Sequence, residues 1–234
     1  VVDPPEVSLS APAPVQSPPP QPEITKAEVQ PVPGAPSETV ADSAIPDVAV
    51  IQTLALLRRE VEQCTACKLA ESRTRTVFGS GPEQSDWLFV GEAPGQQEDR
   101  QGKPFVGRPG SLLTQMLLAL GQQREQVFIA NALKCRPPGN RDPLPEELRA
   151  CEPFLLKQIE LVKPEVMVAL GRISAQALLN SDQSLAKLRG QVYRYGPDNI
   201  PLIVTYHPAY LLRNPADKGK VWEDLLLANR QLPG

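Results

Sequence analysis

The sequence has few residues of several chemically informative types. Its 234 residues include one histidine, four cysteines and two tryptophans, and aromatic residues make up only 5%. No apolar run approaches the roughly 18 residues that span a bilayer, so we expect no transmembrane segment. The G-x-G-x-x-G dinucleotide motif and the GK[ST] phosphate loop are also missing. Neither motif therefore explains the glycine-rich segments of the chain.

Proline and charge are distributed unevenly. The first 50 residues hold 12 of the 27 prolines, seven acidic residues, one lysine and no aromatic residue, a net charge of −6, whereas the remainder carries +3. Such a segment buries too little apolar area to offset the entropy lost on ordering. We therefore predict a disordered, Pro-rich acidic tail over residues 1–49 and one domain over residues 50–234.

From residue 50 onward, helix and strand patterns alternate. Helical spacing occurs in IQTLALLRREVEQ, SLLTQMLLALG, LPEELRACEPFLLKQIELVKP, ISAQALLNS and ADKGKVWEDLLLANRQL. Apolar strands are predicted at 86–91, 127–134, 165–171 and 200–207, with QVYRY as a further edge strand. Strands that are apolar throughout and alternate with helices indicate a parallel sheet covered on both faces. We predict a three-layer α/β/α fold with a central, mainly parallel four-stranded sheet.

Three loops follow predicted strands and should meet at one edge of the sheet. They are GEAPG at 91–95, the segment starting at Asn131, and HPAYLLRNP at 207–215. Ligands of open α/β sheets bind at the carboxyl ends of the strands. The single histidine, His207, therefore lies where a site is expected. Two alternatives stay open: His207 is a structural residue, and in the glycine-rich segment Glu92 and Asp99 are ordinary solvated charges and Phe105 is a core residue.

The four cysteines are spaced as metal ligands. Cys64 and Cys67 form a C-x-x-C pair, and Cys135 and Cys151 lie on either side of the Pro-rich segment RPPGNRDPLPEE. Four thiolates suit either zinc or an iron–sulfur cluster, and the spacing does not decide between them. Scattered buried thiols are the alternative.

The segment after His207 ends in apolar residues beside a cation. Leu211, Leu212 and Arg213 follow a Pro-containing turn, and we predict that both leucines are exposed. Exposed leucines on a stiff loop are typical of wedges that DNA-bending and base-flipping proteins insert into the base stack. We therefore predict that these three residues bind DNA.

Together these motifs resemble the iron–sulfur uracil-DNA glycosylases of family 4. The resemblance rests on CTAC, GEAPG, GKPFVG, NALKCRPP, the fourth cysteine and HPAYLLRNP, in that order, and covers nearly everything after residue 50. One departure is GRPG at 107–110, where the family more often has a GPAG-like sequence. The glycines are kept, so little is put in doubt.

The resemblance implies a repair enzyme that flips uracil out of DNA and hydrolyses its N-glycosidic bond. It implies a [4Fe-4S] cluster on the four cysteines and a substrate pocket with Phe105 stacked on the base and Asn131 reading its edge, along with Gly91 and Ala93. It further implies that His207 stabilises the departing base and that Glu92 positions water or opposes the positive charge on the sugar. A related branch has a water-activating Asp in place of Ala93, so no strong general base is assigned.

The resemblance also implies partners and a location. We expect a monomer that acts on uracil-containing DNA, single- or double-stranded, in the cytoplasm at the nucleoid, and a tail that recruits an unidentified protein. Two alternatives remain: an inactive, metal-stabilised DNA-binding module, and a neighbouring glycosylase branch with a different base range. The crosslinking branch has GEQPG and a histidine-bearing insertion, which this chain lacks.

Overall fold

The computed structural model describes residues 53–232. The tail predicted over residues 1–49 lies outside this range. The helices and strands are, in order, α1 (Leu54–Gln63), α2 (Leu69–Ser72), β1 (Trp87–Gly91), α3 (Gln96–Gln101), α4 (Gly107–Ala119), β2 (Phe128–Asn131), α5 (Pro145–Val162), β3 (Val166–Leu170), α6 (Arg172–Leu179), α7 (Leu185–Leu188), β4 (Val192–Tyr195), β5 (Ile200–Thr205), α8 (Pro208–Arg213) and α9 (Lys218–Asn229). The predicted α/β class is confirmed.

The helices begin and end where local chemistry favours it. Thr53 caps α1, because its hydroxyl oxygen accepts a hydrogen bond from the backbone N–H of Leu56 at 3.2 Å. Helix α5 begins with Pro145, whose lack of an N–H costs nothing in the first turn. It ends at Val162, and the capping residue Lys163 adopts a left-handed conformation immediately before Pro164.

The sheet has five strands in the order β2-β1-β3-β5-β4. Strands β2, β1, β3 and β5 are parallel, and β4 pairs antiparallel with β5. The predicted count of four is therefore wrong for the whole sheet, although it matches the parallel strands. The fifth strand is QVYRY, which the sequence had indicated as an edge strand. A short connection between β4 and β5 allows them to pair as an antiparallel hairpin.

Two apolar cores cover the faces of the sheet. Alternate residues of a strand point to opposite faces, so Leu88 and Val90 pack with α1, α5 and α6, whereas Trp87 and Phe89 pack with α4 and α9. These contacts make the three predicted layers. Within residues 53–232, no helix is long and apolar enough to cross a membrane.

Two helices lie in segments that the sequence indicated as loops. Helix α3 follows GEAPG, and α8 occupies most of HPAYLLRNP. Both were missed because glycine and proline flank them and because each has only six residues. Proline is nevertheless favourable at the first position of a helix, where Pro208 stands in α8.

Candidate functional site

The carboxyl ends of β1, β2 and β5 lie at one edge of the sheet. Gly91, the last residue of β1, pairs in register with Asn131, the last residue of β2. Thr205 ends β5 and pairs with Leu170 of β3, so His207 follows two residues beyond the same edge. The parallel register thus brings the predicted site segments together.

Asn131 has an unusual hydrogen-bonding state. Its residue is 1% exposed, yet neither Oδ1 nor Nδ2 has a hydrogen-bond partner within the described part of the chain. A buried amide without partners costs on the order of 1–3 kcal/mol. Such groups in folded proteins call for an explanation, and a ligand that supplies both partners is one.

Gly91 lies where Asn131 and Phe105 converge. A β-carbon at residue 91 would be 2.5 Å from the ring of Phe105 and closer still to Oδ1 of Asn131. Only glycine therefore fits there without displacing one of the two side chains. The structure brings three of the four predicted substrate-binding residues into one place.

The backbone around Phe105 is tightly held. Phe105 has a left-handed conformation with φ of 49°, and the next residue, Val106, donates its N–H to Oε1 of Glu98 at 2.9 Å. The carbonyl of Phe105 packs so closely on Gly110 of α4 that a side chain at residue 110 would overlap with it. Packing therefore requires glycine at position 110, the second glycine of GRPG. This agrees with the expectation that the departure of GRPG from the family pattern matters little, because the glycines are kept.

One ring nitrogen of His207 already accepts a hydrogen bond from the backbone. His207 caps α8, with Nδ1 accepting the N–H of Ala209 at 3.1 Å. Its ring stacks on Phe105 with a centroid separation of 5.3 Å and an interplanar angle of 30°. Burial, and then the charge of Arg213, lower the pKa of His207 from 6.5 to about 4. A neutral ring whose Nδ1 is an acceptor carries its proton on Nε2.

The protonation state of His207 is open to direct measurement, because the chain has one histidine. In untagged, histidine-labelled protein we expect the ring NMR signals to stay constant from pH 8 to about pH 5, with the proton on Nε2. Since the folded pKa lies below the unfolded value, His207 favours folding at neutral pH, and this contribution is lost as pH falls from about 6.5 towards 4. A titration midpoint near pH 6.5 in the folded protein would contradict the assignment.

Glu92 follows β1 and is partly buried. Its pKa is raised from 4.5 chiefly by burial and then by the charge of Asp142, whereas Arg172 lowers it. Asp142 and Arg172 form an ion pair of 2.7 Å. The carboxyl group of Glu92 is therefore at the same sheet edge but in a different electrostatic setting from His207.

The side chains of Ala93 and Asp99, which are near Glu92 in the sequence, lie in different surroundings from that of Glu92. Ala93 packs against the apolar cluster that contains Leu133, Cys135 and Cys151, so its side chain lies on the cysteine side. Asp99 is 3% exposed and accepts the backbone N–H groups of residues 74 and 75. The solvated alternative is thus wrong for Asp99, which anchors a backbone segment.

The prediction of two exposed leucines is wrong for Leu211. Leu211 is 1% exposed and belongs to the core under α4 and α9, whereas Leu212 is 37% exposed. Successive residues on a helix are rotated by about 100°, so one leucine of the pair faces the core and the next faces solvent. Arg213 is exposed beside Leu212. The surface candidates for DNA contact in α8 are thus Leu212 and Arg213.

The four cysteines line one cavity. We define the cysteine cavity by the thiols of Cys64, Cys67, Cys135 and Cys151, and its other walls are mostly apolar. Three donors point at sulfur: Nη1 of Arg73 lies 3.3 Å from Sγ of Cys135, and the backbone N–H groups of Lys134 and Ala66 lie 3.2 Å from Sγ of Cys151 and 3.5 Å from Sγ of Cys64. Within residues 53–232, no three potential ligands converge on a point where a single metal ion would sit.

Several residues at these sites escaped the sequence analysis. Lys134 and Gln158 are buried and hydrogen-bonded to each other, and Arg73 reaches the cysteine cavity. Lysine and glutamine usually lie at the surface, so the pattern carried no signal for them. Arg172 did carry one, because it follows the carboxyl end of β3.

Comparison with known protein families identifies the superfamily of this chain. The family model described as the uracil DNA glycosylase superfamily matches residues 78–226. This range includes every strand of the sheet and the residues at its carboxyl edge.

Individual relatives narrow the assignment. The chain is 45% identical to a type-4 uracil-DNA glycosylase of Archaeoglobus fulgidus, over 67% of this chain and 82% of the relative. Identity to the type-4 uracil-DNA glycosylase of Thermotoga maritima is also 45%, over 71% and 87%. A type-5 uracil-DNA glycosylase of Thermus thermophilus is 32% identical over 65% and 76%. The chain belongs to the uracil DNA glycosylase superfamily, in its type-4 group.

Proposed function

We propose that this protein releases uracil from DNA by hydrolysing the bond between C1′ of the sugar and N1 of the base. The product is an abasic site, the starting point of base excision repair. The observation that carries the proposal is the buried side-chain amide of Asn131, which lacks hydrogen-bond partners within residues 53–232. Membership of the type-4 group supports the same reaction.

The amide of Asn131 matches the edge of uracil. Its Nδ2 donates to O4 of the base, and its Oδ1 accepts from N3–H. Cytosine presents a donor and an acceptor in the reverse order, so it would leave the buried amide unsatisfied. Asn131 therefore selects uracil over cytosine.

Phe105 and Gly91 complete the base pocket. The ring of Phe105 stacks on the face of the flipped base, as aromatic side chains do with unstacked bases. Gly91 leaves the space that a side chain would remove. The tightly packed backbone around Phe105 fixes the position of its ring.

His207 stabilises the charge that develops on the base. When the glycosidic bond breaks, its electron pair leaves with uracil and negative charge grows on O2. A neutral histidine whose Nδ1 is occupied offers Nε2–H as a donor, and such a donor acts most strongly in a dry site. A lowered pKa suits this role, since the ring gives a hydrogen bond without having to carry a charge in the ground state.

The sugar is then trapped by water. As C1′ becomes cationic, a water oxygen forms the new bond to it, and the proton released from water passes to solvent. Glu92 positions this water and opposes the positive charge on the sugar. A cationic sugar is a strong electrophile, so no strong base is needed.

The four cysteines hold a [4Fe-4S] cluster in this proposal. Their placement around one mostly apolar cavity suits a group held by four thiolates, and membership of the type-4 group supports a cluster over one zinc ion. The cluster would tie the end of α1 to the segment after β2 and to α5. Its contribution is structural, and no step of the reaction passes through it.

The metal content can be checked on the purified protein. We expect about four iron atoms per chain and a broad charge-transfer absorption, and Cys→Ser at any of the four positions should lower yield and thermal stability. Stoichiometric zinc without iron would contradict the cluster and leave the base pocket untouched.

The protein contacts DNA through the phosphates of the DNA backbone and through the exposed residues of α8. Three basic residues in the segments after β2 and α8 already have partners: Arg136 bonds to Asn140, and Arg141 and Lys220 pair with acidic side chains. Arg213 and Lys218 are exposed. We propose that Arg213 contacts phosphate while Leu212 enters the base stack.

Changing Leu212 to alanine separates base flipping from chemistry. Unstacking a base from a duplex costs a few kcal/mol, which single strands largely avoid. We therefore expect Leu212→Ala to lower the single-turnover rate about tenfold on duplex DNA and less than about twofold on single strands. Leu226→Ala is the matched control, because Leu226 is also 37% exposed but lies on α9. Equal losses on the two substrates would contradict the wedge. Leu211 is unsuitable, since removing a core leucine costs about 2–5 kcal/mol of stability.

The remaining proposals concern location and assembly. We infer that the protein works as a monomer on chromosomal DNA in the cytoplasm and that residues 1–49 recruit a protein partner. These proposals rest on the reaction and on the composition of the first 50 residues.

The direct experiment is base release from defined oligonucleotides. We expect single- and double-stranded substrates with one uracil to yield alkali-sensitive abasic sites, and matched substrates with thymine or cytosine to stay intact. DNA binding without release would instead support an inactive module. Release of further bases would indicate a base range like that of a neighbouring branch.

A further inference from the structure

Lys134 lies between the cysteine cavity and Asn131, and it is 1% exposed. Its Nζ donates to the backbone carbonyl of Asn131 at 2.6 Å and to Oε1 of Gln158 at 2.6 Å. Gln158 is fully buried and donates through Nε2 to the carbonyl of Phe78 at 2.7 Å. The lysine is therefore anchored by α5 and by the segment that precedes β1.

The backbone of Lys134 reaches the other site. Its N–H donates to Sγ of Cys151, and its carbonyl accepts the N–H of Val77 at 2.7 Å. Cys135, the next residue, is itself a wall of the cysteine cavity. One residue thus contacts the cavity through its main chain and the end of β2 through its side chain.

A buried lysine is a poor choice if only stability matters. Removing an ammonium group from water is costly, and an apolar side chain of similar shape would fill the space without that cost. In this protein the buried ammonium group forms a hydrogen bond to the backbone carbonyl of Asn131, which an apolar side chain could not form. Asn131 needs such support, because no partner within the described range holds its side-chain amide, and the direction of that amide follows from its backbone.

We infer that Lys134 is a positioning residue for base recognition, which fixes the carbonyl of Asn131 so that its amide faces the uracil edge. It also makes the geometry of the base pocket depend on the cysteine cavity. The inference rests on the proposed role of Asn131. Lys134 itself does not touch the substrate.

A double-mutant cycle tests the inference, because residues that act through one another have non-additive effects. We expect Lys134→Met to lower the single-turnover rate of uracil release about tenfold or more in the wild-type background. In an Asn131→Ala background, the same change should alter the rate less than about twofold, since there is no amide left to aim. Lys157→Met is the matched control, because the side chain of Lys157 on α5 is 42% exposed and pairs with Glu60 of α1, and it should leave the rate unchanged in both backgrounds.

The readouts separate positioning from general damage. Iron content and charge-transfer absorption are measured for each variant, so that loss of the cysteine cavity is recognised. If Lys134→Met does not fold, Gln158→Met is used in the same cycle, since it removes one anchor of Nζ and leaves the lysine in place. We expect a smaller loss that again vanishes with Asn131→Ala.

Two results have different meanings. Equal losses from Lys134→Met, or from its substitute, with and without Asn131 would overturn the positioning role and leave the proposed function standing. An Asn131→Ala variant that keeps the wild-type rate would instead overturn the proposed reading of the base.

Discussion

Replacing His207 by alanine is expected to lower the single-turnover rate of uracil release by about 10²–10³-fold, with little change in DNA affinity. The lost hydrogen bond from Nε2 strengthens only as charge develops on O2, so its removal affects the transition state more than the bound substrate. The measurement is uracil release from single-stranded oligonucleotides with enzyme in excess, and DNA binding is determined in parallel.

A second variant excludes loss of the helix cap as the cause. His207 also caps α8 through Nδ1, so His207→Ala removes two interactions. Asparagine is a good capping residue whose side-chain oxygen can replace Nδ1, but it is too short to place a donor where Nε2 lies. We expect His207→Asn to restore thermal stability and to remain slow. A near-normal rate for either variant would make His207 structural and remove the main stabiliser of the mechanism.

Replacing Asn131 by aspartate is expected to change which base is released. The charge of Lys134, whose Nζ lies 2.6 Å from the backbone carbonyl of residue 131, favours the ionised carboxylate, which accepts from the amino group of cytosine but faces O4 of uracil as a second acceptor. Release of uracil should fall by about 10³-fold, because a site built for hydrogen bonds strongly rejects a ligand that leaves them unmade. Cytosine-containing oligonucleotides should become substrates.

Asn131→Ala is the matched comparison. It removes the amide without offering cytosine a partner, so it should be slow on both bases. If Asn131→Asp keeps its preference for uracil, the side chain does not read the base edge, and another group must select it.

Much of the fold could be predicted because its signals are local. The apolar strands at 86–91 and 165–171 and the helix within IQTLALLRREVEQ depend on spacing and on neighbouring residues, and the structure has them. The antiparallel β4 was harder to place, since its residues are only half-buried. Its membership of the sheet depends on the short hairpin to β5, which is a tertiary property.

Site residues at the ends of strands could be predicted from the sequence. Residues whose role depends on whether their side chains are buried could not. Asn131 ends one strand and His207 follows another, so topology alone places them at one edge. In contrast, nothing in the local sequence shows that Leu211 faces the core while Leu212 does not. The burial of Lys134 is equally invisible, because its partners lie in α5 and at the end of β2.

The central claim is that the unpartnered amide of Asn131 receives the edge of uracil, and a crystal structure of the wild-type protein with free uracil tests it most directly. The account predicts O4 and N3 of the base within hydrogen-bonding distance of Nδ2 and Oδ1 of Asn131, the uracil ring stacked on Phe105, and Nε2 of His207 facing O2. Uracil bound elsewhere, or bound at this edge of the sheet without contacting the Asn131 amide, would contradict it.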